Sequence, residues 1–277
     1  MRRLIVLTAV AALAATSANA ASKPKPTDWR TPDPANVLVI DTNKGRVIVE
    51  LVPEVAPGHV ARLTELAHKG TYDGRTFFRV IDRFMAQTGD PLNTGEGSVE
   101  GIPNLKAEFT YRRDAASGFV PVAAPQGTQV GFLLSLPVVS QDISYTTMTG
   151  DKKVSAWGTY CPGVVGMARD ENPDSANSQF FMMRYAYPSL DKRYTAFGRV
   201  VTGLDAIRAI KTGEPVEAPQ DVMQKVRVLA DIPEAERPKV KIIDARSPWF
   251  AAEVKRVRKL KGADFSVCDV ELPVEVN

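Results

Sequence analysis

"FFRVIDRFMAQTGD", residues 77–90, combines the aromatic and β-branched residues typical of a strand with one arginine, Arg79. A turn around Arg83 would fold this segment into a β-hairpin with Arg79 opposite Gln87, because the two residues are equally far from the turn. Met85 would share their face, and Gln87 could accept a hydrogen bond from the guanidinium. Taken alone, the segment fits equally well a buried arginine that is satisfied by backbone carbonyls.

The rest of the chain is dominated by short strands. Residues 37–52 read as two strands of alternating residue type on either side of a turn with Asn43 and Gly45, which predicts a hairpin. Residues 57–70 and 204–213 have the apolar spacing of helices. In the first helix the expected buried positions are Val60, Leu63, Leu66 and Ala67. Many short strands and two helices predict a closed or sandwiched antiparallel sheet.

Length, hydrophobic content and net charge limit the classes of function that the chain can have. A chain of 277 residues with 44% hydrophobic residues suits one large domain, or one domain with additions. Its 35 basic and 32 acidic side chains give a net charge of +3, so nothing points to a nucleic-acid partner. His59 and His68 lie on the first helix without a cluster of carboxylates and cysteines, which favours surface or packing roles over a metal site.

The N-terminus has the organisation of a secretory signal peptide. Arg2 and Arg3 precede an apolar run, and Ala18 and Ala20 form a small-residue cleavage site. We expect cleavage after Ala20, so that residues 1–20 are removed; an uncleaved segment acting as an anchor is the alternative. The proline-rich residues 21–36 predict an extended linker of little order.

Export would permit a disulfide between the two cysteines, Cys161 and Cys268. The sequence does not give the distance between them. Two separate thiols therefore remain an equally good interpretation.

Three segments resemble, in order and spacing, the signature segments of the cyclophilin family of peptidyl-prolyl isomerases. They are FFRVIDRFMAQTGDP (77–91), GVVGMARDENPDSANSQFFM (163–182) and SLDKRYTAFGRVVTGLDAIRAI (189–210). The resemblance implies a mainly β fold, an eight-stranded antiparallel barrel capped by two α-helices, over residues 37–232. An unmatched stretch at 112–160 is then an insertion, and residues 233–277 are a C-terminal extension.

The resemblance also implies the site. Arg79 matches the catalytic arginine, and Gln87 the residue that orients it. The implied substrate-binding residues are Phe84, Met85, Ala168, Arg169, Gln179, Phe181, Leu190 and Tyr194. Two of these depart from the pattern of the animal members, because Arg169 stands where they have asparagine and Tyr194 where they have histidine. No metal and no cofactor is implied.

We therefore expect a periplasmic peptidyl-prolyl isomerase that acts on proline-containing, unfolded envelope or secreted proteins. It should be a monomer without nucleic-acid partners, and membrane association is not expected. The alternative is an exported chaperone or peptide-binding protein with weak or no isomerase activity. In that case the insertion would be the working part, and its apolar stretch at 130–139 would be a client arm rather than a cover for the barrel.

Overall fold

The computed structural model describes residues 23–277, which form three antiparallel β-sheets and three α-helices. The helices are α1 (Pro57–His68), α2 (Leu204–Arg208) and α3 (Pro248–Lys261). The first strands are β1 (Trp29–Arg30), β2 (Val37–Thr42), β3 (Gly45–Leu51), β4 (Arg75–Thr76), β5 (Arg79–Ile81) and β6 (Met85–Thr88). Then come β7 (Tyr111–Arg113), β8 (Val120–Ala123), β9 (Thr128–Leu133), β10 (Leu136–Gln141) and β11 (Val154–Gly158). The last are β12 (Val164–Met167), β13 (Phe180–Met183), β14 (Ala196–Thr202), β15 (Val222–Val228), β16 (Val240–Ile243) and β17 (Val274–Val276).

The main sheet has nine strands in the order β4-β15-β2-β3-β14-β12-β13-β6-β5. It confirms the predicted mainly β, antiparallel fold, as a curled sheet whose apolar inner face is covered by α1 and α2. The count exceeds the predicted eight because Arg75–Thr76 pairs with β15 as a two-residue strand. The second predicted helix is also shorter than its sequence pattern, since α2 ends at Arg208.

Helix α1 forms where the sequence predicts it. Its four expected core residues are all buried, and Pro57 occupies its first turn, where a missing N–H does no harm. Its N-terminus is capped from a distance, because the Glu108 carboxylate accepts hydrogen bonds from the backbone N–H groups of Gly58 (3.1 Å) and His59 (3.0 Å). The His59 ring contacts the same carboxylate at 2.6 Å, so this histidine packs inside the fold.

Residues 111–158 contain a second, five-stranded sheet in the order β7-β11-β10-β9-β8. The apolar stretch at 130–139 forms its central hairpin, β9–β10, and Phe132, Leu136 and Val138 there are fully buried. They share one core cluster with Met85 and Phe181 of the main sheet. The hairpin thus packs against the main sheet and is not a projecting arm.

A third sheet joins the two ends of the described chain in the order β1-β16-β17. The sequence predicts little order for 21–36, whereas Trp29 and Arg30 pair with β16, and Pro26–Asp28 and Pro34–Asn36 form 3-10 turns. The order comes from a contact distant in the sequence, because β16 offers a free strand edge to which residues 29 and 30 can hydrogen-bond. The predicted signal peptide, residues 1–20, lies outside the described residues.

The buried carboxylate of Glu50, on β3, connects these three sheets. It is 2% exposed and accepts hydrogen bonds from Arg30 Nη2 at 2.7 Å and from the backbone N–H of Ser135 at 3.1 Å. Arg30 belongs to the third sheet, and Ser135 is in the β9–β10 turn. A buried carboxylate needs such partners, so the ion pair also fixes how the sheets pack.

The C-terminal part of the chain is fastened to the second sheet by α3 and by a disulfide. Phe250 of α3 packs edge to face on Phe132, with ring centroids 5.4 Å apart. Cys161 and Cys268, left open by the sequence, are disulfide-bonded across 107 residues of chain. None of the helices formed by residues 23–277 has the length and apolar character needed to cross a bilayer.

Removing the disulfide should lower the free energy of unfolding by about 2 to 5 kcal/mol, because the link closes a long loop and restricts the unfolded chain. The measurement is urea unfolding of the Cys161→Ala, Cys268→Ala double variant. Alanine is chosen because Cys161 is fully buried and a serine hydroxyl would need a partner there. Dithiothreitol should weaken the wild type by a similar amount and leave the variant unchanged. Equal stability of oxidised and reduced wild type would contradict the prediction.

Candidate active site

Nine of the ten residues predicted for the site line one surface cavity of about 150 Å³. They are Arg79, Phe84, Met85, Gln87, Ala168, Arg169, Phe181, Leu190 and Tyr194. The tenth, Gln179, lines an adjoining cavity together with Gln87, Ala168 and Arg169. The structure thus brings together residues that are more than a hundred positions apart in the sequence.

Strand register aligns the main side chains of the cavity. Arg79 is directly opposite Gln87 in the β5–β6 hairpin, and Gln87 is opposite Phe181 on β13. Arg83 has a φ of 57° in the turn, so the chain reverses around it as the sequence predicts. Because facing residues in adjacent strands project to the same side, Arg79, Gln87 and Phe181 form a row across three strands.

A chain of hydrogen bonds fixes the Arg79 guanidinium. Arg79 Nη1 donates to Gln87 Oε1 at 3.2 Å, and Gln87 Nε2 donates to Gln179 Oε1 at 3.0 Å. Gln179 Nε2 donates in turn to the carbonyls of Gly95 (3.0 Å) and Gly97 (2.8 Å). Since the amide N–H of Gln87 is committed to Gln179, its oxygen must face the arginine.

The apolar wall of the cavity is built from packed rings. Phe181 is 5% exposed and lies between Tyr160, which stacks on it at 5.8 Å, and Tyr194, which meets it edge-on at 5.8 Å. A Cβ at Gly166, on the neighbouring strand β12, would come within 2.6 Å of the Phe181 ring. Only glycine therefore leaves room for this ring. The result is a firm apolar cavity with a cation held at its rim.

Comparison with known proteins agrees with this geometry. The sequence profile of the cyclophilin type peptidyl-prolyl cis-trans isomerases matches residues 37–231. The chain belongs to this family. A probable peptidyl-prolyl cis-trans isomerase of Brucella suis is 35% identical over 185 residues, which cover 67% of this chain and 76% of the relative. Peptidyl-prolyl cis-trans isomerase B of Bacillus subtilis is 30% identical over 191 residues, which cover 69% of this chain and 94% of the relative.

The crystal structure of a cyclophilin from Hirschia baltica is similar with a TM-score of 0.83 and 32% identity. The likeness covers 91% of this chain and 94% of that one. It therefore extends beyond residues 37–231, into elements that the family profile does not match. The mainly β architecture of this chain is that of a cyclophilin.

Arg169, predicted to bind substrate, has its guanidinium directed at the protein itself. Nε and Nη2 donate to the carbonyl of Arg193 at 3.0 and 2.9 Å, and Nη1 donates to the carbonyl of Asp170 at 2.6 Å. The guanidinium also lies 4.6 Å from the centroid of the Tyr194 ring. Arg169 thus ties the loop after β12 to the segment that carries Tyr194.

Two features of this cyclophilin's site were missed by sequence reasoning. Asp191, next to Leu190, accepts hydrogen bonds from the backbone N–H of Tyr160 at 3.0 Å and from the side chains of Thr159 and Trp157. It therefore joins the cavity wall to the second sheet. Glu214 forms an ion pair with Arg79 across 135 positions of sequence. Neither contact has a local sequence signal.

The two histidines are not in the lining of the cavity. His59 is buried against Glu108, and His68 is half-exposed beside Asp231, with 3.0 Å between Nε2 and the carboxylate. Among residues 23–277, no group of three or more histidines, cysteines and carboxylates is placed to hold a metal ion.

Asp191 should make stability depend on pH. Burial raises the pKa of its carboxyl above the ordinary value of 3.8, although hydrogen bonds from Thr159, Tyr160 and Trp157 oppose the shift. The folded state then holds this proton more tightly than the unfolded state, so stability falls as pH rises above 3.8 and levels off above the raised pKa. The stability of Asp191→Asn relative to wild type should therefore increase over that interval.

The measurement is urea unfolding of both proteins at a series of pH values from about 3 to 7, the interval around an ordinary carboxyl pKa. The matched control is Asp205→Asn, the same substitution at a side chain that is fully exposed and therefore lacks the burial on which the prediction for Asp191 rests. A difference for Asp191→Asn that stays constant with pH, or that shrinks, would contradict the prediction.

Proposed function

We propose that Arg79 is the catalytic residue with which this cyclophilin accelerates rotation about X-Pro bonds. The observation that carries the proposal is the guanidinium held by Gln87 at the rim of an apolar cavity. Rotation is slow because resonance gives the peptide C–N bond partial double-bond character, with a barrier of about 18 to 20 kcal/mol. Catalysis must weaken that resonance.

The arginine can do so by donating a hydrogen bond to the proline nitrogen. As the bond twists, this nitrogen becomes pyramidal and its lone pair becomes available, so the hydrogen bond is stronger in the transition state than in the ground state. A guanidinium stays protonated at every relevant pH and acts as a permanent donor. The step requires no covalent intermediate.

The apolar side chains hold the proline ring while the rest of the bond rotates. Met85 and Phe181 are nearly fully buried and form the floor, and Phe84, Leu190 and Tyr194 are half-buried and form the sides. The adjoining cavity, lined by Ala168, Arg169 and Gln179, is open to residues flanking the proline. The substrate class we propose is an unfolded, proline-containing polypeptide.

We further propose that the protein works outside the cytoplasm, in the periplasm, on envelope or secreted proteins. The signal-like pattern of residues 1–20 supports this location. The Cys161–Cys268 disulfide supports it independently, because disulfides persist in oxidising compartments.

A holding chaperone with weak isomerase activity is the less favoured function. The hairpin suited to a client arm, β9–β10, is buried against the main sheet. Exposed apolar side chains do occur in the second sheet's connection β10–β11, at Tyr145 (41% exposed) and Met148 (81% exposed). Two exposed side chains on one short turn make a small surface for unfolded chains, so the isomerase is favoured.

Arg79→Ala should lower kcat/KM by on the order of a hundredfold or more, equivalent to about 3 kcal/mol of transition-state stabilisation. Binding of a proline peptide should change far less, because the apolar walls remain. Arg79→Lys should recover little, since an ammonium on a flexible stem does not reproduce a planar donor held by Gln87. The measurement is a protease-coupled isomerisation assay on a short X-Pro peptide.

The wild-type rate should be nearly flat from about pH 6 to 9, because histidines ordinarily titrate there and both lie outside the cavity. A folded Arg79→Ala protein with near-wild-type rates, or a bell-shaped pH profile centred near neutrality, would refute this mechanism. Full isomerase activity combined with no holding of unfolded protein would exclude the chaperone alternative.

Expression in a Gram-negative host should place the protein in the periplasmic fraction with Ala21 as its first residue. The measurement is cell fractionation followed by mass spectrometry of the N-terminal peptide. Ala20→Phe is the matched variant, because a bulky residue at the cleavage site should leave the leader attached. A full-length protein that stays in the cytoplasm would contradict the proposed location.

A further inference from the structure

The guanidinium of Arg79 has a second partner besides Gln87. Arg79 Nε donates to Glu214 Oε1 at 2.6 Å, and Nη2 lies 2.6 Å from the same oxygen. Within the described part of the chain, the hydrogen bonds to Glu214 and Gln87 use two of the five N–H groups of the guanidinium, and Nη2 makes an ion-pair contact with Glu214. The remaining N–H groups can reach a bound peptide.

Backbone pairing fixes where Glu214 stands. The preceding residue, Gly213, exchanges two hydrogen bonds of 2.8 Å with Val80, the neighbour of Arg79 on β5. The N–H of Val216 donates to the carbonyl of Phe78, also at 2.8 Å. A Cβ at Gly213 would come within 2.6 Å of the Val216 backbone, so the approach is close. The segment is thus fastened to the outer edge of β5 beside the arginine.

We propose that Glu214 is a positioning residue for the reaction, a role that rests on the proposed function of Arg79. Its carboxylate holds the Nε and Nη2 side of the guanidinium while Gln87 holds Nη1. The two acceptors together set the plane of the guanidinium and direct its remaining N–H groups at the proline nitrogen. Without Glu214, the long side chain is held at one nitrogen only and samples more rotamers.

A competing effect has the opposite sign. A carboxylate so close to the guanidinium reduces its positive field, so removal of Glu214 would strengthen the donor that the transition state uses. The side chains are 36% and 55% exposed, and solvent screens charge interactions at such exposures. Orientation is not screened in this way, since catalysis requires the donor in a narrow range of geometry. The loss of orientation should therefore dominate.

The test compares Glu214→Ala, Glu214→Gln and Glu217→Ala with wild type in the protease-coupled assay, with kcat and KM determined separately. Glu217 is an exposed glutamate on the same segment and is outside the cavity lining, so its variant controls for the change in net charge. Glu214→Ala should lower kcat about five- to tenfold with little change in KM. Glu214→Gln keeps an acceptor oxygen at the same place and should retain most of the rate, and Glu217→Ala should match wild type.

The effects of changing Arg79 and Glu214 on the rate should also depend on each other. In an Arg79→Ala background, which abolishes the contact, the further change Glu214→Ala should have no effect on the residual rate. Unchanged or faster turnover of Glu214→Ala, an equal loss in Glu214→Gln, or the same loss in the Arg79→Ala background would each overturn the proposed role. Absence of activity in the wild type would instead refute the proposed function itself, so the two failures are distinguishable.

Discussion

The hydrogen bond between Arg79 and Gln87 is the contact on which the candidate site depends, and it follows from strand register. A shift of the β5–β6 pairing by one residue would turn Arg79 to the other face of the sheet. The turn at Arg83, which has a positive φ, fixes the β5–β6 register at one end of the hairpin. The pairing of β6 with β13 places Gln87 opposite Phe181 and so fixes the position of β6.

The cavity wall depends in turn on parts of the chain outside the main sheet. Tyr160 follows the last strand of the second sheet, stacks on Phe181, and donates its backbone N–H to Asp191. Asp191 adjoins Leu190, so the same carboxylate fixes one side of the candidate cavity and the edge of the second sheet. The Glu50 carboxylate on the main sheet accepts a hydrogen bond from the Ser135 N–H of the second sheet and so links the two. The additional sheets therefore support the site rather than merely accompany it.

How much of this could be predicted from the sequence depends on how local each feature is. Alternation of residue types and the symmetry about Arg83 predict the hairpin and its facing residues, and α1 follows from apolar spacing. The family resemblance gathers the cavity residues because they occur in three contiguous segments. The Arg79–Glu214 pair, the Arg30–Glu50 pair and the disulfide join positions far apart in the chain. Such contacts leave no periodic signal, since they exist only after the sheets have packed.

The exposure of the site residues reflects two conflicting physical needs. Phe181 and Met85 are nearly fully buried, which gives the proposed proline-binding cavity a rigid apolar floor. A guanidinium buried to the same degree would lose its hydration and would require complete pairing within the protein, leaving no donor for a substrate. Arg79 instead lies at the rim, 36% exposed, where water limits the cost of the charge. Mobility is the disadvantage of that position, and acceptors on two sides of the guanidinium counteract it.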